Sequence, residues 1–141
     1  MGKLNINTIK QALSAVLSNY PLAFAYVFGS VVTGHIHQDS DVDIALGFSR
    51  AVGDEVFYEI FNRLYSRLGI ASEKLDLKNF AELPLTVRFR VIRDGKLIYL
   101  KDQKIHRDMA ARTLGFYHDH YPVMKKFNQL FLKQTSRVWA I

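Results

Sequence analysis

Apolar positions in the first twenty residues recur at helical spacing. Ile6, Ile9, Leu13, Val16 and Leu17 fall on one stripe, Asn5 is placed to cap it, and Pro21 ends it. Ala23 to Phe28 is a continuous apolar run, which reads as a buried strand broken by Gly29-Ser30. Val31 to Gly34 reads as one helical turn and His35 to Ser40 as a polar loop. Asp41 to Phe48 opens in strict alternation, with Val42 and Ile44 on one face and Asp41 and Asp43 on the other. A second amphipathic helix follows: Asp54 is the expected cap, Val56, Phe57, Ile60, Leu64 and Leu68 form the stripe, and Gly69 ends it. Lys74 to Lys78 alternates again, with Leu75 and Leu77 inward and Asp76 on the polar face. Leu83 to Arg93 reads as a helix with Pro84 in its first turn, closed by Asp94-Gly95, and Lys96 to Leu100 as a strand. Asp102 then caps a long helical stretch, with an interruption expected near Tyr121-Pro122 and a basic helical tail from Val123 to Trp139.

This order predicts an α+β fold, a small mixed β-sheet flanked by helices. Residues 1–101 form the expected core. Residues 102–141 form a C-terminal helical extension suited to docking a partner.

Composition removes several kinds of chemistry. The 141 residues include no cysteine, so disulfides, thiolate metal sites and thiol nucleophiles are excluded. No apolar run approaches a membrane span, and a cytoplasmic location is the expectation. Charge is unevenly divided. Residues 1–76 carry 6 Lys and Arg against 8 Asp and Glu, whereas residues 77–141 carry 13 against 5. The basic half favours anions such as nucleotide phosphates, RNA or an acidic protein partner, and equally fits a solvated basic helix.

The segment Phe28 to Ala45 holds the candidate chemistry. A strand ending at Gly29-Ser30, followed by a helical turn, would present a close backbone approach, free amides and a hydroxyl to an anion. Asp41 and Asp43 follow about ten residues later on one strand face. Adjacent carboxylates repel unless a cation lies between them, and magnesium suits oxygen ligands shared with substrate phosphates. Asp76, if its strand is a neighbour, would complete a triad able to hold two cations and to accept a proton from an attacking hydroxyl.

Gly29, Ser30, the ten-residue spacer, Asp41 and Asp43 together resemble the signature of the polymerase-beta-type nucleotidyltransferase superfamily. Ser40 and Gly34 stand where that superfamily often has Ser and Gly. The downstream run LDLKNFAELPLTVRFRVIRDGKLIY is similar to the minimal nucleotidyltransferase (MNT) antitoxins of the MntA group. That resemblance implies an antitoxin that moves AMP from ATP to a tyrosine of a HEPN-domain ribonuclease toxin (HepT-like), in a hetero-oligomer, with no membrane and no direct nucleic-acid contact. By position, Asp41 and Asp43 would ligate Mg2+, two ions in all, with Asp76 as third ligand or base. Gly29 and Ser30 would hold ATP phosphates, with Ser40 beside them. Relatives often place a basic residue directly after Gly-Ser. Here Val31-Val32 stand, and Arg88, Arg90 or a basic residue of the tail could supply that charge instead.

Other groups read more plainly. His35, His37 and Asp39 fit a surface loop better than a transition-metal site, and Arg112 with His118 matches the HEPN nuclease pattern only loosely. Phe116, Tyr117, Tyr121, Phe127, Leu130 and Phe131 read as packing for the tail, any exposed part serving as a partner surface. Two other functions fit the same residues: a non-catalytic antitoxin that works by contact, and a nucleotidyltransferase acting on a small molecule or an RNA end.

Overall fold

A computed structural model describes residues 4–29, 32 and 41–135. Helix α1 (Ile6–Leu17) starts at a reciprocal cap: the Asn5 side chain accepts from the Thr8 amide at 2.9 Å, and Thr8 Oγ1 accepts from the Asn5 amide at 2.9 Å. Its buried stripe is Ile9, Ala12, Leu13, Val16 and Leu17, as the spacing requires. Strand β1 (Leu22–Phe28) and strand β2 (Val42–Phe48) follow. Helix α2 (Asp54–Leu68) is capped by Gly53 rather than Asp54, which sits in the first turn with Glu55, where negative charge meets the helix dipole. Gly69 ends the helix at φ 70°, a conformation glycine adopts without a Cβ penalty. Strand β3 (Leu75–Asn79), helix α3 (Leu85–Asp94), strand β4 (Lys96–Leu100) and helix α4 (Gln103–Thr135) complete the fold.

The sheet is mixed, in the order β3-β2-β1-β4. β1 pairs antiparallel with β2 and with β4, and β2 pairs parallel with β3. Both faces are covered, which explains the unbroken apolar run of β1. Leu22, Ala25, Val27, Val42, Ile44, Leu46, Leu75 and Leu77 point to one face, where α1 and α2 close the larger core. Phe24, Tyr26, Ala45 and Phe80 lie on the other face with Val91 of α3 and Ile105 and Met109 of α4. The register of β1 shifts between Leu22 and Phe24, so Ala23 and Phe24 both join this second cluster.

Helix α4 begins where expected: the Asp102 side chain accepts from the Ile105 amide at 3.0 Å. It does not break at Pro122 and continues to Thr135. A proline has φ suited to a helix and forfeits one ladder bond, which the turns on either side can carry. The first turns of α4 dock through a hydrogen bond of 2.6 Å between Tyr26 Oη and His106 Nε2, and through Tyr117 stacked 3.6 Å from Phe89 of α3. Burial lowers the pKa of His106 and raises that of Tyr26, so the pair is neutral near pH 7. Tyr117 therefore packs as expected, whereas Phe116 is exposed. The side chains of Tyr121, Phe127, Leu130 and Phe131 lie outside what the structure describes. Among the described residues no helix is long and apolar enough to cross a membrane.

Close packing around Phe24 yields a stability test. A Cβ added at Gly47 would run into the Phe24 ring, whose own edge meets Phe80 at 5.4 Å between centroids. Gly47→Ala is expected to cost about 1–3 kcal/mol in urea unfolding, as overpacking of a filled core does.

Candidate active site

The carboxylates converge through strand register. β2 and β3 run parallel with Asp43 directly opposite Asp76, and Val42 and Ile44 opposite Leu75 and Leu77. The leucines anchor both strands in the larger core, so the intervening aspartates must face the other side of the sheet. There the Asp43 and Asp76 carboxyl groups face each other across the strand pair. Burial, the Asp76 hydrogen bond and the negative charges of Asp76 and Asp41 push Asp43 up to about 7, against a smaller opposing pull from Lys78. Lys78 Nζ lies 3.4 Å from Asp76 Oδ1.

Asp41 is exposed at the start of β2 and acts on Asp43 through its charge. The structure thus brings Asp43 and Asp76 together and leaves Asp41 at longer range. Among the described residues no three His, Cys, Asp or Glu side chains are already gathered as a metal cage. The donor set nonetheless fits a hard divalent cation: oxygen ligands from adjacent strands, held so close that a proton or a cation must separate their charges.

β1 brings Gly29 to the same place. Gly29 follows Phe28, which pairs with Asp43, and its φ is 79°. A Cβ at this position would run into Asp43 Oδ2, so both backbone conformation and space require glycine. The Val32 amide donates to the Gly29 carbonyl at 3.1 Å, a tight turn at the strand end. Ser30 and Ser40, with Gly34, His35, His37 and Asp39, lie outside the described residues.

Gly29 also rims a cavity of about 410 Å³, walled by Phe28, Val32, Val87 and Val91 and bearing Arg90 and Asp94. Apolar walls with a few polar groups are what a nucleoside needs. Arg93 holds Asp94 through two hydrogen bonds of 2.9 and 2.7 Å. Of the basic residues considered in the sequence, Arg90 is in the cavity. Arg88, on the same helix, buries its Nε with no hydrogen-bond partner among the described residues. The cavity itself was not legible in the sequence, because its walls come from β1 and α3, some sixty residues apart. Only the apolar 3–4 spacing of Val87 and Val91 hinted at an inward face.

Comparison with known proteins agrees with this geometry. Residues 11–104 match the family described as Polymerase beta, Nucleotidyltransferase. No curated protein sequence matches the chain. Among solved structures, a toxin–antitoxin with AMP-PNP is 24% identical, with a TM-score of 0.68 over 91% of this chain and 99% of that one. A tri-AMPylated HEPN toxin of Shewanella oneidensis in complex with an MNT antitoxin gives 22% identity and a TM-score of 0.63, covering 93% and 99%. The toxin–antitoxin MntA–HepT gives 21% and 0.62, covering 92% and 99%. At this level of identity the likeness is one of fold.

The facing carboxylates predict a pH effect of defined sign. A carboxyl group whose folded pKa is raised contributes stability that is complete below its unfolded value and is lost as pH rises through the folded value. For Asp43 that window runs from about 4, the unfolded value, up to about 7. In metal-free buffer, the melting temperature of Asp43→Asn should therefore gain on that of the unaltered chain as pH rises from 5 to about 8. A constant difference across that range would contradict the raised pKa of Asp43.

Proposed function

This chain belongs to the polymerase beta nucleotidyltransferase family, and we propose that it is an MNT-type antitoxin that moves AMP from ATP to a tyrosine hydroxyl of a HEPN ribonuclease toxin, silencing it. The observation that carries the proposal is the in-register pair Asp43–Asp76, packed against Gly29 at the rim of a cavity of nucleoside size. The fold shared with a toxin–antitoxin bound to AMP-PNP, and with an MNT antitoxin bound to an AMPylated HEPN toxin, supports the choice of donor and partner.

The chain's own residues suit each part of the reaction. The apolar cavity takes the nucleoside, and Arg90 offers the positive charge that Val31-Val32 do not. The Gly29 backbone lies against the Asp43 carboxylate, which sets the strand end beside the reacting groups, and Gly29, Ser30 and Ser40 are the phosphate contacts in this reading. Asp41, Asp43 and Asp76 would hold Mg2+, which supplies charge neutralisation at the phosphates. The tyrosine oxygen attacks the α-phosphorus and a new phosphorus–oxygen ester bond forms. The bond from that phosphorus to the bridging oxygen breaks, and pyrophosphate leaves with the electron pair. Asp76, whose side chain is 45% exposed, serves in this reading as third ligand or as the base that takes the phenolic proton. ATP as donor and a ribonuclease as target put the reaction in the cytoplasm. In this reading residues 102–141, which include helix α4 (Gln103–Thr135) with its first turns tied to the sheet, form the extension on which the partner docks.

A transfer assay tests the proposal. With α-labelled ATP, Mg2+ and the HEPN protein encoded beside this chain, label should appear on the HEPN protein, with a mass increase of one or more AMP units on a tyrosine. Asp43→Asn should lower the rate by more than about a hundredfold, through loss of a carboxylate that would hold the charge-balancing cation. Gly29→Ala should do nearly the same without unfolding the protein, because its Cβ displaces the Asp43 carboxylate. Neutralisation of the toxin by Asp43→Asn at equal stoichiometry, with no label transferred by the unaltered chain, would instead identify an antitoxin that acts by contact.

A further inference from the structure

From the layout of the site we infer that Lys78 marks an acceptor subsite on the β3 edge, where its ammonium group receives an acidic side chain lying beside the hydroxyl to be modified. The inference rests on the transfer reading for its direction of approach. Three observations then place the subsite.

The first is the order of elements across the sheet face. The nucleoside-sized cavity lies at the end of β1, beneath α3. Asp43 follows on β2, and Asp76 and Lys78 stand on β3, the outermost strand. In-line displacement at phosphorus sets the attacking oxygen opposite the leaving one. With the leaving phosphates at the Gly29 turn, the attacking hydroxyl approaches from the far side of Asp43, over β3.

The second is access. Helices α3 and α4 pack over β1. Over β3, in contrast, the Lys78 and Asp76 side chains remain 51% and 45% exposed. A protein segment can therefore reach these two residues without displacing a helix.

The third is charge. The ammonium of Lys78 rests 3.4 Å from Asp76 in the free protein. Lys78 alternates with buried Leu77, so it is held on the same face as Asp76 and reaches the reacting edge. Half of the Lys78 side chain stays open to solvent beside that contact, so its ammonium can also receive a carboxylate carried by the acceptor, while basic segments are turned away.

The test separates this inference from the reading beneath it. Binding of the HEPN protein to the chain is measured without nucleotide, and KM values for HEPN and for ATP are measured in the label-transfer assay. Lys78→Met should weaken HEPN binding and raise the HEPN KM by about fivefold or more, as loss of a rim charge pair at an interface allows. The ATP KM should stay within about twofold, since the nucleotide lies on the other side of Asp43. Lys78→Arg should restore both HEPN values, and raising NaCl from about 50 to about 300 mM should narrow the gap between Lys78→Met and the unaltered chain. Unchanged HEPN affinity in Lys78→Met, or an ATP KM that moves as far as the HEPN KM, overturns the inference while transfer by the unaltered chain still upholds the reading. Weakened HEPN binding by Lys78→Met, with no transfer by the unaltered chain, does the reverse.

Discussion

Everything at the candidate site follows from two negative charges that strand pairing holds face to face. Asp43 and Asp76 share a register position on parallel neighbours, and the leucines and isoleucine beside them are committed to the core. Neither aspartate can turn inward without exchanging places with a buried apolar residue, because side chains alternate strictly along a strand. The repulsion is therefore a fixed cost of the fold. In the free protein the cost appears as an Asp43 pKa raised to about 7 by burial and by its acidic neighbours. A divalent cation, in the reading proposed above, would relieve the same repulsion.

The rest of the molecule supports that arrangement from two sides. Helices α1 and α2 supply the larger core that locks β2 and β3 in register. On the other face α3 and α4 cover β1, and the Phe24, Tyr26 and Phe80 cluster fills the space between. The covering is uneven, and the unevenness is useful. A cavity remains beside Gly29 beneath α3, while the β3 side stays accessible. In the transfer reading, two reactants would thus have separate approaches to one pair of carboxylates. The Tyr26–His106 bond ties the start of α4 to the central strand, so whatever docks on that helix bears on the same sheet that carries Asp43.

Local corrections show where tertiary forces outweigh local signals. Asp54 has the chemistry of a helix cap, yet Gly53 takes that position and Asp54 serves the first turn electrostatically. Pro122 is a helix breaker by propensity, but α4 passes through it, since one missing ladder bond in a 33-residue helix is a modest loss. Strand β1 begins at Leu22, one residue before the expected Ala23, next to the register shift beside Phe24.

The amino-acid order alone determined the alternation that sends Asp43 and Asp76 away from the core, the capped helices, and the glycine at the end of the first strand, because these depend on period and on local backbone sterics. Gly29, Asp41, Asp43 and Asp76 were legible as one candidate site for that reason, and the mixed sheet followed from the order of elements. Only the tertiary structure decided that β3 lies beside β2 with Asp76 opposite Asp43, that Asp41 stands further out, and that the cavity bears Arg90. Those outcomes depend on contacts between segments far apart along the chain. Such contacts are chosen by how whole faces pack, and no local pattern carries that information.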